Sequence, residues 1–259
     1  MLEQIKSCVE KIQRSKPLIL NLTNYVTMDF VANALLAIGA ALVMSEEINE
    51  LDELISYSSS VNANIGTLND AFLERVERAL KIAEELGKTV VLDPVGCGAT
   101  KARTAASQKF IQYADVVCGN ASEIISLNND NKAKTLGVES QDATLDAEES
   151  ANSLAEQYGT IVIVSGAIDV IVKKSSIRHL SFGLPLMQRI TGMGCALSSV
   201  VAAFCSVETD LFQASLLATV FYSLCGGQAA QKASCPGSFK VAFLDALHDP
   251  DFNFMGEKL

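Results

Sequence analysis

An α/β architecture, with a mostly parallel central sheet and helices on both of its faces, follows from three features of this 259-residue sequence. Short, nearly all-apolar runs alternate with helix-patterned stretches. The runs lack the in–out alternation of a half-exposed sheet, which is how strands covered on both faces read. This βαβα rhythm holds to about Gly183, after which the chain becomes helical.

The elements follow in order. The first sixteen residues are charged and helix-patterned. Strands are expected at Leu18–Leu22, Ala41–Val43 and residues 61–65, 89–92, 115–117, 161–164 and 170–172. Helices are expected at residues 26–38, 71–86, 103–113, 145–158 and 196–204. In the second of these, Phe72, Val76, Leu80 and Ala83 recur at three- and four-residue steps, giving one buried face, and Gly87 supplies a C-cap. Residues 128–143 are polar and unpatterned and read as an exposed loop. With no Pro/Ser linker, low-complexity tract or internal repeat, residues 1–259 read as one domain.

Composition narrows the function. The chain is 49% apolar, with mean hydropathy +0.26, too apolar for a disordered coil. Its net charge of −10 is the wrong sign for a nucleic-acid binder, so an anionic substrate needs a local site. The seven cysteines are odd in number and none are at C-x-x-C spacing. With only His179 and His248 present, a zinc centre is not expected. The N-terminal stretch has no apolar h-region, so no secretory signal is read there, and a reducing, cytoplasmic compartment is expected. Residues 190–207 and 211–231 are long and uncharged, but they carry glycines and hydroxyl side chains and lack basic flanks. They read as buried helices, not membrane spans.

In open parallel sheets, ligands sit beyond the carboxyl ends of the strands. Three segments there stand out. Asp93 follows an apolar strand and precedes a glycine-rich loop, where it either faces Mg²⁺ or caps a turn before Pro94. Asn120 and Glu123 form N-x-x-E at a helix start, which reads first as a capping box and alternatively as a carboxylate set near Mg²⁺ across from Asp93. Residues 191–195, TGMGC, open an apolar helix, and the two glycines let an anion approach its free N–H groups. No Lys-Ser/Thr follows, so this is not a Walker A loop.

These segments, with PLILNLTNYV (17–26), ANALLAIGA (32–40), NIGTL (64–68), VLDPVG (91–96) and GNASE (119–123), keep their order and spacing over about residues 15–205. In combination they resemble the hydroxyethylthiazole kinase family of the ribokinase-like superfamily. The resemblance implies transfer of the γ-phosphate of ATP to the hydroxyl of 4-methyl-5-(2-hydroxyethyl)thiazole, for thiamine biosynthesis. It implies a homotrimer with the thiazole site at the subunit interface. Met44 and Gly192 would contact the thiazole, with Asn24 and Thr67 nearby. Asp93 and Glu123 would hold Mg²⁺. Cys118, Asn120 and Ser165 would lie at ATP, residues 192–194 would form the anion hole, and the catalytic residues would be Gly194 in that hole and Cys195 at the position of the catalytic base. A thiol at a helix N-terminus is expected to have a lowered pKa.

The chain departs from the pattern at three places. Cys118 stands where the family commonly has Arg near the ATP phosphates, with Lys101 and Arg103 as candidates to compensate. Leu20 replaces a His, and Met193 replaces the Thr of T-G-T-G-C. Two alternatives stay open. One is a ribokinase-like NAD(P)H-hydrate dehydratase, which Cys195 in place of an Asp speaks against. The other is a non-catalytic thiazole- or nucleotide-binding relative, for which Cys118 and Met193 argue.

Overall fold

The computed structural model describes residues 1–128, 141–174 and 176–259. Eight strands form one sheet: β1 (Leu18–Leu22), β2 (Ala41–Val43), β3 (Ser60–Asn64), β4 (Thr89–Asp93), β5 (Val116–Asn120), β6 (Ile161–Ser165), β7 (Asp169–Lys173) and β8 (Ser176–Leu180). Their order is β2-β1-β3-β4-β5-β6-β7-β8. Pairing is parallel through β6, and β7 and β8 then add as antiparallel hairpin strands. The order reverses beside β1, so a crevice opens at the carboxyl ends of β1 and β3.

Eleven helices lie among the described residues: α1 (Leu2–Ser15), α2 (Met28–Ala37), α3 (Leu51–Tyr57), α4 (Asp70–Glu85), α5 (Lys101–Phe110), α6 (Ala121–Asn128), α7 (Gln141–Tyr158), α8 (Met193–Cys205), α9 (Leu211–Lys232), α10 (Pro236–His248) and α11 (Phe252–Lys258). Strand residues divide between two cores by parity, since successive side chains point to opposite faces. Ile19, Val91, Val116 and Ile163 pack with α1, α2 and α8–α11. Leu20, Val61, Leu92 and Val117 pack with α3–α7. The layered α/β fold of the sequence reading is therefore present.

The uncharged stretches are α8 and α9, buried between the sheet and the outer helices. Among the described residues no helix is long and apolar enough to cross a membrane. Asn69 caps α4 by accepting from Phe72 N at 2.9 Å, and Gly87, at φ +62°, ends it.

Two elements escaped the sequence pattern. β8 is an exposed edge strand carrying Arg178 and His179, so it shows no apolar run. α3 spans only seven residues, too few for periodicity to register. Several strand ends also shift: β4 and β6 run one residue further than expected and β5 three, so that Asp93, Asn120 and Ser165 end strands instead of following them, and β3 ends one residue earlier, at Asn64. The expected loop at 128–143 lies mostly outside the described residues, and its two ends belong to α6 and α7.

Candidate active site

Asp93, last residue of β4, is 4% exposed. Its Oδ2 accepts from Asn64 Nδ2 at 2.6 Å and from the Ser198 hydroxyl at 3.0 Å. Asn64 ends the neighbouring strand β3, in register with Asp93. Its Oδ1 accepts from Asn24 Nδ2 at 2.9 Å and from Gly66 N at 3.1 Å. The same Asn24 amide lies 3.4 Å from Cys195 Sγ, and Asn24 Oδ1 accepts from Thr27 N at 3.0 Å. One buried chain of hydrogen bonds thus joins Asp93 to Cys195 through two amides.

Burial, reinforced by the nearby Glu123 charge, pushes Asp93 up to about 8. Burial also pushes Cys195 up to about 11, and Asp93 adds to it. This corrects the expected lowering of the thiol: its place in the first turn of α8 does not outweigh desolvation. Cys195 is a neutral thiol at neutral pH.

Glu123 reads both ways, as the sequence allowed. It completes a reciprocal capping box: Asn120 Oδ1 accepts from Glu123 N at 3.0 Å, and Glu123 Oε2 accepts from Asn120 N at 2.9 Å. Its other oxygen accepts from Gly96 N at 2.8 Å in the loop after Asp93. Burial raises its pKa while these N–H groups and Arg103 pull it back.

These two carboxylates fit a magnesium ion. The set is hard oxygen, both groups are buried, and Asp93 Oδ1 takes no hydrogen bond among the described residues while Oδ2 takes two. No cluster of three or more His, Cys, Asp or Glu side chains converges among the described residues. A cation here would complete its shell with water and phosphate oxygens, as Mg²⁺ commonly does.

Two cavities flank this network. The larger, about 430 Å³, has Asn120, Ser165, Gly192 and Gly194 in its wall. A Cβ on Gly194 would meet nothing within 4 Å, so the helix start is open to a ligand. Gly192 is the N-cap at φ +96°, with Thr27 and Phe30 close beside it. The smaller cavity, about 90 Å³, is lined by Met44, Tyr25, Glu46 and Arg75. Met44 and Gly192 therefore stand at separate cavities of one chain. Thr67 holds the loop after β1, its Oγ1 accepting from Tyr25 N at 3.1 Å.

Cys118 is 3% exposed in the core on the α8 side of the sheet and is not part of either cavity wall. Arg103, a candidate to compensate, has its Nη1 donating to Val95 O at 2.9 Å and Ile65 O at 3.3 Å. Lys101 is exposed.

Sequence reading gave no role to Asn64, or to the seam that continues below it. Asn62 donates to Asn21 Oδ1 at 3.1 Å and Ser199 Oγ at 2.7 Å, and Ser60 donates to Ala202 O at 3.0 Å. The signal was present in Ser60, Asn62 and Asn64, which place polar groups at every second residue of β3.

The sequence model of the hydroxyethylthiazole kinase family matches residues 9–251. A hydroxyethylthiazole kinase from Chlamydia caviae is 46% identical over 257 residues, covering 98% of each chain. One from Leptospira biflexa is 41% identical, with 98% of this chain and 97% of that one covered. A solved structure of a hydroxyethylthiazole kinase protein from Pyrococcus horikoshii OT3 matches at a TM-score of 0.90 and 34% identity, over 98% of this chain and 96% of that one. A ribokinase-like superfamily protein from Enterococcus faecalis V583 shares the fold at a TM-score of 0.65 and 14% identity, over 93% and 86% of the two chains. Together with the order of motifs along the strand ends, the match across nearly the whole chain means that this protein belongs to the hydroxyethylthiazole kinase family.

Proposed function

We propose that the chain transfers the γ-phosphate of ATP to the hydroxyl of 4-methyl-5-(2-hydroxyethyl)thiazole, giving the thiazole phosphate for thiamine biosynthesis and salvage. The observation that carries this reading, beyond family membership, is the buried chain from Asp93 through Asn64 and Asn24 to Cys195, at the foot of an open, glycine-led helix.

Phosphoryl transfer asks for in-line positioning and charge neutralisation more than covalent work. Asp93 and Glu123 would hold Mg²⁺, which when bound supplies positive charge beside the phosphate oxygens. The free N–H groups at Gly194 and Cys195 meet negative charge at the start of α8. Because the Cys195 thiol is neutral, it orients the alcohol and shapes the site; in a loose transition state the hydroxyl proton leaves late. Asn120 and Ser165 line the nucleotide side of the larger cavity.

The site works as part of a homotrimer in the cytoplasm. Met44 of one subunit and Gly192 of its neighbour complete one thiazole pocket, a sharing that their places at separate cavities of a single chain support. A coupled ADP-release assay, run with and without hydroxyethylthiazole and Mg²⁺, tests the reading. Release that depends on both is expected. Folded protein that releases no ADP in response to the thiazole alcohol sinks it.

A further inference from the structure

Two consecutive residues of α9, Tyr222 and Ser223, line the 430 Å³ cavity. Tyr222 donates its hydroxyl to the carbonyl of Met193, 2.8 Å away, in the first turn of α8. Its ring is fixed edge-on against Phe243 of α10, with centroids 4.8 Å apart. Ser223 donates to Asp169 Oδ2 at 3.3 Å, and Asp169 Oδ1 accepts from Gly166 N at 2.9 Å. One residue thus ties down the glycine-led start of α8. The next, through Asp169, ties down the β6–β7 turn that carries Ser165 and Gly166.

All three side chains are buried, and the packing around them leaves little slack. A Cβ on Gly183 would come within 2.8 Å of the carbonyl oxygens of Gly166 and Ala167. A Cβ on Gly226, one turn after Tyr222 on α9, would meet Met187 Sδ at 2.7 Å. These glycines let the segment between β8 and α8 close onto the same turn and the same helix.

We propose that Tyr222, Ser223 and Asp169 form a clamp that sets the spacing between the start of α8 and the β6–β7 turn, and so sets the affinity of the cavity for a phosphate-bearing ligand. Taking that ligand as an adenine nucleotide rests on the kinase reading. The three are positioning residues, because their hydrogen bonds run to protein groups. Backbone donors serve an anion only at a fixed distance, so a wall that relaxes by a fraction of an ångström weakens binding without unfolding anything.

The test is Mg–ADP binding by calorimetry, beside nucleotide-free thermal melts, on the full chain. Tyr222→Phe is expected to weaken binding about three- to tenfold, the scale of one net hydrogen bond, and to shift Tm by no more than about 3 °C. Asp169→Ala should weaken binding similarly. Asp169→Asn, whose Oδ1 still accepts from Gly166, should bind close to wild type. The Tyr222→Phe/Asp169→Ala double variant should lose less than the product of the single losses, since both open one gap. If Asp169→Ala does not fold, Ser223→Ala takes its place in that pair. Unchanged binding in Tyr222→Phe overturns the clamp. So does an Asp169→Asn variant that binds as weakly as Asp169→Ala, and so do losses that simply multiply. A wild type that binds no Mg–ADP removes the kinase reading, and the clamp with it.

Discussion

Replacing Asp93 by Asn keeps the shape of a buried side chain and removes its charge, so stability and activity should move in opposite directions. The carboxylate is held near pKa 8 by burial and by Glu123, which means its ionised form is costly in the protein alone. Asp93→Asn should therefore melt no lower than wild type while turnover falls at least ~100-fold, the scale of a lost transition-state electrostatic contact. Near-normal turnover at saturating Mg²⁺ would remove Asp93 from the site. Cys195 makes the contrasting case. A general base contributes about 10²–10⁴ in rate. A neutral thiol that only orients the alcohol contributes less, so Cys195→Ser should retain turnover within about tenfold of wild type. A loss beyond about a thousandfold would restore the base role. Asp93 was legible in the sequence because a carboxylate after four apolar residues is conspicuous. The thiol's pKa was not, because desolvation depends on what packs around a helix start and not on the start itself.

The β6–β7 turn gives a prediction at the scale of an element. Asp169 opens β7, is 5% exposed, and is raised from 3.8 to about 6 by burial, against the pull of Gly166 N and Ser223. An acid whose folded pKa exceeds its unfolded value binds more protons when folded. Its contribution to stability is full below about pH 4, is lost as pH rises through 6, and stays lost above. Asp169→Asn removes this loss, so its stability relative to wild type should rise by up to about 3 kcal/mol between pH 4 and pH 7. Urea unfolding of both proteins at the two pH values measures it, and a flat difference would show that Asp169 titrates as an ordinary carboxylate. Elements were legible where burial is symmetrical: β1, β4 and β6 read as apolar runs and were found to within about a residue. β8 was lost because one face is solvated; the β3 strand was found, but its seam was not, because the value of a polar group at every second residue shows only when α8 supplies Ser199 as a partner.

At the scale of the whole molecule, the proposed sharing of one thiazole pocket between Met44 and Gly192 of two subunits makes a prediction about assembly. A contact that brings different residues of two copies together is head-to-tail, and it must close into a ring to avoid a filament. Exposed apolar side chains offer a surface for it: Tyr25 and Val26 before α2, and Leu36 on it, are 52%, 69% and 58% exposed. The ring can be tested by complementation. Met44→Glu puts a charge into the smaller cavity and spoils one half of the pocket. For the other half Gly194 is a better target than Gly192. A side chain at Gly192 would be strained at φ +96° and would press on Thr27, whereas one at Gly194 enters open space. Gly194→Asp should therefore fold normally and fail only by repelling the phosphates. Each variant alone is expected to be inactive. After mixing, unfolding and reassembly in equal amounts, roughly a quarter of the interfaces pair two intact halves, so about a quarter of wild-type activity should return. Light scattering on the same samples fixes the assembly state. An active monomer, or mixed rings that form and stay dead, would mean that each chain builds its thiazole site alone.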